Sequence, residues 1–422
     1  MAFILPFLRR YPGIASILRN GSLVAGTQWA EAGLRGAYVL MIGRWLGPEL
    51  YGAWSYALAS YTFTITLTLW GLETLVPLHL GQNRKVGAFL GTTLRLRLGL
   101  LFLAAAALAG YALAFETDTL SRMALLLVLP ALIGRGVVQW TRAVFLGLDR
   151  SKTAFGLAVR VRLLEVCLGG VSLWLGAGLF TLLIIHTVSW LVEAGLSLPA
   201  LTRRIEAPLR FEARELKTVL GEGFVLGLAT MGEAVLAAMP LILTRVIVGD
   251  LTVVGQLGAA IQLAMLAVMG AQGLLSAALP VVGRASASAD RRLRHYPLIV
   301  ALAAVAGFGL AVAVAWVFGR TFVPAILGAR FAPAGRLLAM SLFVGGMMVL
   351  PVGAWQLLVA QGRRWPGVVA GWSGAIALLV VLPPMLHATG AFGALTAAAL
   401  GWSVRAIMLL GWALVPVTVR DR

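Results

Sequence analysis

Arg135, Gln139 and Arg142 are spaced i, i+4, i+7, a pattern that puts all three on one face of an α-helix. No acid lies on the same apolar segment to neutralise them. Two guanidinium groups on one face suit phosphate, because each planar fork binds two phosphate oxygens. An alternative reading has Arg142 snorkelling to the membrane surface and Arg135 pairing with a glutamate on another helix. Arg405, near the middle of the last apolar segment, carries the same two readings.

A second stripe is Gln28, Glu31 and Arg35, at i, i+3, i+7. Glu31 and Arg35 stand four apart, so one reading is a self-neutralising pair. The other is a cavity wall whose carboxylate takes up H⁺ or Na⁺. Glu233 has no basic residue within four positions, so it is either protonated or paired across helices, and it joins Glu31 as a candidate for ion coupling. Arg95 with Arg97, and Arg160 with Arg162, are two apart and point about 200° apart on a helix. Only one of each couple can face inward. Glu165 is within reach of Arg162 at i, i+3. His186 and Glu193 share a face but do not make a metal site, and His186 reads as a helix-contact residue. The chain has no phosphate-binding Gly-x-x-x-x-Gly-Lys loop, no cysteine cluster and no His-Glu-x-x-His. No catalytic, cofactor or metal residues are assigned.

The segments that carry these groups are not those of a soluble protein. Of 422 residues, 60% are hydrophobic and only 12% are charged, which excludes both disorder and a water-soluble enzyme. The net charge of +18 does not mark a nucleic-acid binder, since the basic residues are scattered among apolar runs. Twelve apolar segments of spanning length begin near residues 20, 51, 88, 122, 155, 179, 217, 252, 297, 334, 366 and 391. A charged group at the bilayer centre costs about 2.5 to 3.5 kcal/mol on insertion scales, so each one above is expected to face protein or water. Lys and Arg divide twenty to six between alternate loops. That asymmetry predicts a multi-pass membrane protein with both termini in the cytoplasm.

The chain also repeats. At an offset of 202, Gly21 to Gly47 aligns on Gly223 to Gly249 without a gap, pairing Glu31 with Glu233; one inserted residue then brings Gly52 onto Gly255. Six helices separate the copies, so they run in the same direction. The expected fold is all-α, with about twelve transmembrane helices in two parallel six-helix lobes around a central cavity. Residues 1–15 form an interfacial segment, 16–202 the N-lobe, 203–217 a cytoplasmic linker and 218–422 the C-lobe.

Gly43-Arg44-Trp45-Leu46-Gly47-Pro48-Glu49-Leu50-Tyr51-Gly52-Ala53-Trp54-Ser55 resembles the loop after the first helix of bacterial polysaccharide flippases. The likeness continues in Gly71-Leu72-Glu73, in Leu146-Gly147-Leu148-Asp149-Arg150 and in Ile326-Leu327-Gly328-Ala329-Arg330-Phe331-Ala332-Pro333-Ala334. The chain thus resembles the oligosaccharide flippases of the multidrug/oligosaccharidyl-lipid/polysaccharide exporter superfamily. That resemblance implies alternating-access flipping of an undecaprenyl-diphosphate-linked oligosaccharide, with H⁺ or Na⁺ as coupling ion, no cofactor, and the lipid-linked oligosaccharide, membrane lipids and polysaccharide polymerase machinery as partners. The diphosphate would fall to Arg35, Arg135, Gln139, Arg142 and Arg405. A drug exporter of the same superfamily would favour an acidic cavity. A membrane-embedded glycosyltransferase or ligase would need an acidic motif or a large outer loop.

Overall fold

The computed structural model describes residues 12–82, 87–148, 150–205, 208–287 and 295–415; residues 1–11 of the expected interfacial segment and the Arg291–Arg294 cluster lie outside them. The described residues form α1 (Pro12–Leu67), α2 (Leu72–Gln82), α3 (Gly87–Ala114), α4 (Thr119–Leu127), α5 (Leu129–Gly147), α6 (Ser151–Trp174) and α7 (Leu179–Thr202). There follow α8 (Ala213–Val248), α9 (Leu251–Ala287), α10 (Tyr296–Leu327), a 3₁₀ turn at Ala329–Phe331, α11 (Ala332–Val349), α12 (Val352–Ala360), α13 (Trp365–Thr389) and α14 (Ala391–Leu414).

Nine stretches among the described residues are long and apolar enough to cross a membrane, including α4 with α5 and α11 with α12 as single passes. Three more complete the order. The run α1 is not one rod: Gly47 sits at φ 76°, ψ 174°, and the chain doubles back there. The rings of Tyr38 and Trp54 are 6.2 Å apart, whereas sixteen residues of straight helix would separate them by about 24 Å. Gly is needed for the positive φ, and Pro48, which has no N–H to satisfy, starts the second arm. The remaining pass, α6, has 24 residues but is interrupted by Arg160, Arg162 and Glu165.

In the N-lobe α5 packs on α7 and α3, and α6 on the first arms of the fold; in the C-lobe α13 packs on α14 and α8, and α10 on α11. The largest contact between lobes is α1 against α9. Gly249, which the repeat aligns with Gly47, also has positive φ, at 77°, and closes α8. We call the end of the bundle with Gly47 and Gly249 the turn end, and the end with the α7–α8 connection the linker end.

Two of the motifs that carried the family likeness meet at the turn end. Tyr51 packs edge-on against Phe331 at 5.7 Å, and Arg44 donates to the carbonyls of Ala325 and Ile326 at 3.1 and 3.0 Å, satisfying acceptors that the last turn of α10 leaves free. Nearby, Arg245 of the C-lobe bonds Glu116 of the N-lobe at 2.7 Å and approaches Asp118 at 3.6 Å. At the linker end the lobes meet where Trp70 donates to the Leu220 carbonyl at 3.3 Å and lies beside Phe224.

Candidate functional site

Two cavities stack along the interlobe axis. The first, of about 440 Å³, has one wall from the N-lobe that includes Tyr38, Trp54, Tyr61, Arg162 and His186, and an opposing C-lobe wall of Leu236, Pro240, Ile261, Met265 and Met348. The second, of about 390 Å³, lies toward the linker end and is lined by Glu31, Gln139, Arg142 and Trp190 on the N-lobe side. Arg35, Arg135 and Met269 line both. The charged lining residues therefore belong to one lobe, while the other lobe's wall is mostly apolar, with Gln262, Ser341 and Gln272 as its polar members.

Charged groups in the N-lobe form a ladder of alternating sign. Arg35 donates to Glu31 at 2.7 Å. Arg142 forks onto the same carboxylate at 3.2 and 3.4 Å and reaches Glu193 at 2.6 Å. Arg162 takes the other Glu193 oxygen at 3.1 Å and also pairs with Glu165. Glu165 faces His186 Nδ1 at 2.7 Å, and His186 Nε2 stands 3.2 Å from the Tyr61 hydroxyl, which accepts from Arg135 at 2.7 Å. The ladder begins and ends on Arg35 and Arg135, the two arginines common to both cavities. Trp190 is its pivot: the guanidinium carbons of Arg162, Arg35 and Arg135 lie 4.0, 5.1 and 5.3 Å from its ring centre, each within cation–π range.

The outcome for the helix-α5 stripe is divided. Arg135, Gln139 and Arg142 all line the second cavity. Arg142 is not unneutralised, however: Glu31 and Glu193, from α1 and α7, supply the charge that its own helix lacks. Arg135 has only neutral hydrogen-bond partners, Tyr61 and Thr62, and forms no ion pair among the described residues, although the Glu73 carboxylate acts on it at longer range. Within the ion-paired ladder, Arg35, Arg142 and Arg162 stand against Glu31, Glu165 and Glu193, and Arg135 joins it through the Tyr61 hydroxyl without an ion pair of its own. Arg97 donates to Gln139 Oε1 at 2.7 Å. That bond makes Oε1 the acceptor, which assigns the donor NH₂ to the amide's other arm in a residue that lines the second cavity.

Arg35 and Glu31 stand in the cavity wall as the i, i+4 pair. Glu233 pairs across helices with Arg405, and neither is among the residues lining the two cavities. The partner comes from α14, which no spacing along α8 could announce. Of the doubled arginines, Arg97 and Arg162 are buried while Arg95 and Arg160 are not. The side chain of Gln28 lies outside those described. His186 makes helix contacts as expected, to Glu165 of α6 and Tyr61 of α1, and with Glu165 and Glu193 it belongs to the ladder. The signal for them was present in the shared face of His186 and Glu193 and in the Arg162–Glu165 spacing, but the two signals lie on different helices.

No protein-family model matches the chain, and no curated protein matches it. Solved structures do. A eukaryotic MATE transporter, AtDTX14, superposes with a TM-score of 0.67 at 15% identity over 96% of this chain and 98% of that one. An inward-facing multidrug resistance MATE transporter of the MOP superfamily gives 0.68 at 15% identity over 91% and 93%. The chain has the fold of a MATE transporter. A MOP superfamily transporter from Pyrococcus furiosus, described as having a binding pocket of reverse polarity that suggests a different function, has the same fold, with a TM-score of 0.67 at 14% identity over 94% and 95%. The MATE fold brings with it the twelve helices in two lobes expected from the repeat.

Proposed function

We propose that this protein moves an undecaprenyl-diphosphate-linked oligosaccharide across the bacterial cytoplasmic membrane by alternating access. The observation that carries this reading is Arg135, a guanidinium shared by both cavities that forms no ion pair among the described residues. An anion between Arg135 and Arg35, with the Gln139 amide beside it, would complete the N-lobe wall. The apolar, methionine-bearing C-lobe wall suits the lipid part of an amphiphile. Turn-end contacts join the lobes through side chains and close helix packing, with no covalent tie, as an opening and closing seam requires.

A second reading, export of drugs, is favoured by the multidrug MATE transporter of the same fold and by the same apolar wall. A cationic drug would meet Arg135 as a like charge. Vesicles reconstituted with the full chain and an undecaprenyl-diphosphate sugar separate the two. Flipping is read as protection of the sugar from an external lectin, and drug export as ethidium movement. Flipping that Arg135→Ala abolishes supports the proposal. Ethidium transport without flipping overturns it.

A further inference from the structure

We infer that His186 is the proton-binding group of this transporter and that its protonation is linked to an anion held at Arg35 and Arg135. The inference rests on the anion-site reading above and adds the group that carries the proton.

The hydrogen bonds around the ring fix its starting state. Trp190 Nε1–H can only donate, and it lies 3.2 Å from His186 Nε2. That nitrogen must therefore hold a lone pair, so the imidazole is neutral, with its proton on Nδ1 and donated to Glu165 at 2.7 Å. The Tyr61 hydroxyl donates to the same Nε2 and accepts from Arg135. His186 lines the first cavity, so a proton reaches it from water there.

Taking up one proton at Nε2 breaks no covalent bond but breaks one hydrogen bond and reverses another. Trp190 loses its acceptor. Nε2–H now donates to the Tyr61 oxygen, and Tyr61's own hydrogen is released toward the cavity, where an oxyanion on Arg135 accepts it. The charges facing the ring set the condition. Arg162 and Glu165 come from α6, Arg35 and Tyr61 from α1, Arg135 from α5, and Glu193 from the ring's own helix. Arg35 and Arg162 oppose a new positive charge but are paired with Glu31, Glu165 and Glu193; Arg135 forms no ion pair among the described residues, and an anion bound there removes its opposition. Glu31 is different, since both its oxygens already accept from guanidinium groups, and Glu233 lies outside the two cavities. Protonation and anion binding at this site are thus reciprocal.

The chain has four histidines, so ¹⁵N-histidine spectra of the full-length protein in lipid nanodiscs can resolve His186, identified by its loss in His186→Gln. Sulfate serves as the anion probe because it does not titrate near neutral pH. Without sulfate, the His186 spectrum should show an unprotonated Nε2; adding sulfate at fixed mildly acidic pH should convert it toward imidazolium. Sulfate should bind about tenfold more tightly at pH 6 than at pH 8, the size of one charge interaction at protein dielectric. That ratio should fall toward one in His186→Gln and in Tyr61→Phe. Sulfate binding that leaves the His186 spectrum unchanged, or a pH ratio retained in both variants, overturns the linkage while leaving the anion site standing. Sulfate that fails to bind, with wild type and Arg135→Ala alike, overturns both.

Discussion

Gly52 and Gly255, the residues that the internal repeat sets in register, touch each other across the interface of the two lobes. A Cβ on Gly52 would strike the Leu251 carbonyl and lie 3.1 Å from the Gly255 amide nitrogen; one on Gly255 would strike the Pro48 carbonyl and lie 3.0 Å from the Gly52 nitrogen. Pro48 and Leu251 are themselves equivalent in the repeat. The contact is therefore isologous, each side meeting its own counterpart, and it marks where the pseudo-two-fold axis passes. Two small residues allow backbone-to-backbone approach, as at tight helix crossings within membranes.

Gly52→Ala and Gly255→Ala should each destabilise the protein by about 1–3 kcal/mol, the usual cost of overpacking. The double variant should cost less than the sum, because the first substitution has already pushed α1 and α9 apart. Thermal unfolding of the detergent-solubilised protein measures both. Additive losses would mean that the two positions do not share one contact.

Arg135→Ala and Arg142→Ala should separate function from stability. Arg135 forms no ion pair among the described residues, so its removal should abolish flipping with little change in unfolding temperature. Arg142 holds both Glu31 and Glu193, and removing it should cost about 3 kcal/mol by leaving buried acids underpaired. Arg135→Lys should restore flipping only in part, since an ammonium lacks the fork. Equal destabilisation by the two alanine variants would contradict that difference in ion pairing.

At the turn end, Arg245→Ala or Glu116→Gln should loosen the seam between the lobes. Ser55 lines the first cavity, so in a Cys167→Ser background, Ser55→Cys should react faster with a maleimide once the seam is cut. A rate within twofold of the intact seam would show that the pair does not hold the lobes together.

Asp118→Asn should do less, and pH should hardly affect it. Burial pushes the Asp118 carboxyl up, but the hydrogen bond from the Ser121 backbone amide and the charge of Arg245 outweigh it and hold the carboxyl below its ordinary range. A lowered carboxylate contributes stability above its unfolded value and loses it only as pH falls through the lowered one. Between about pH 5 and 8 its contribution is constant, so Ser55→Cys reactivity that changes at pH 5 must come from another group.

For orientation, Arg214→Cys on the linker side should be labelled by an impermeant reagent only after the membrane is opened, and Leu175→Cys, at the turn end, in intact cells. The reverse pattern would invert the reading of the twenty-to-six charge asymmetry.

What could be read from the sequence was whatever is local or periodic. The twelve apolar segments, the two-lobe repeat with Gly47 matching Gly249, and the shared face of Arg135, Gln139 and Arg142 all follow from spacing along a helix of fixed pitch. The Glu31–Arg35 pair was legible for the same reason, since i, i+4 neighbours meet in any helix. Which charges neutralise which was decided only by the tertiary structure. Arg142 found acids on α1 and α7, Glu233 found Arg405 on α14, and His186 was joined to Glu165 of α6 and Tyr61 of α1. Cross-helix pairing depends on the rotation and depth at which packed helices meet, and neither quantity is carried by the periodicity of one segment. A chain rich in arginine and poor in acid therefore displayed its stripe of positive charge openly, while the fold gave Arg142 of that stripe its ion pairs and left Arg135 with none among the described residues.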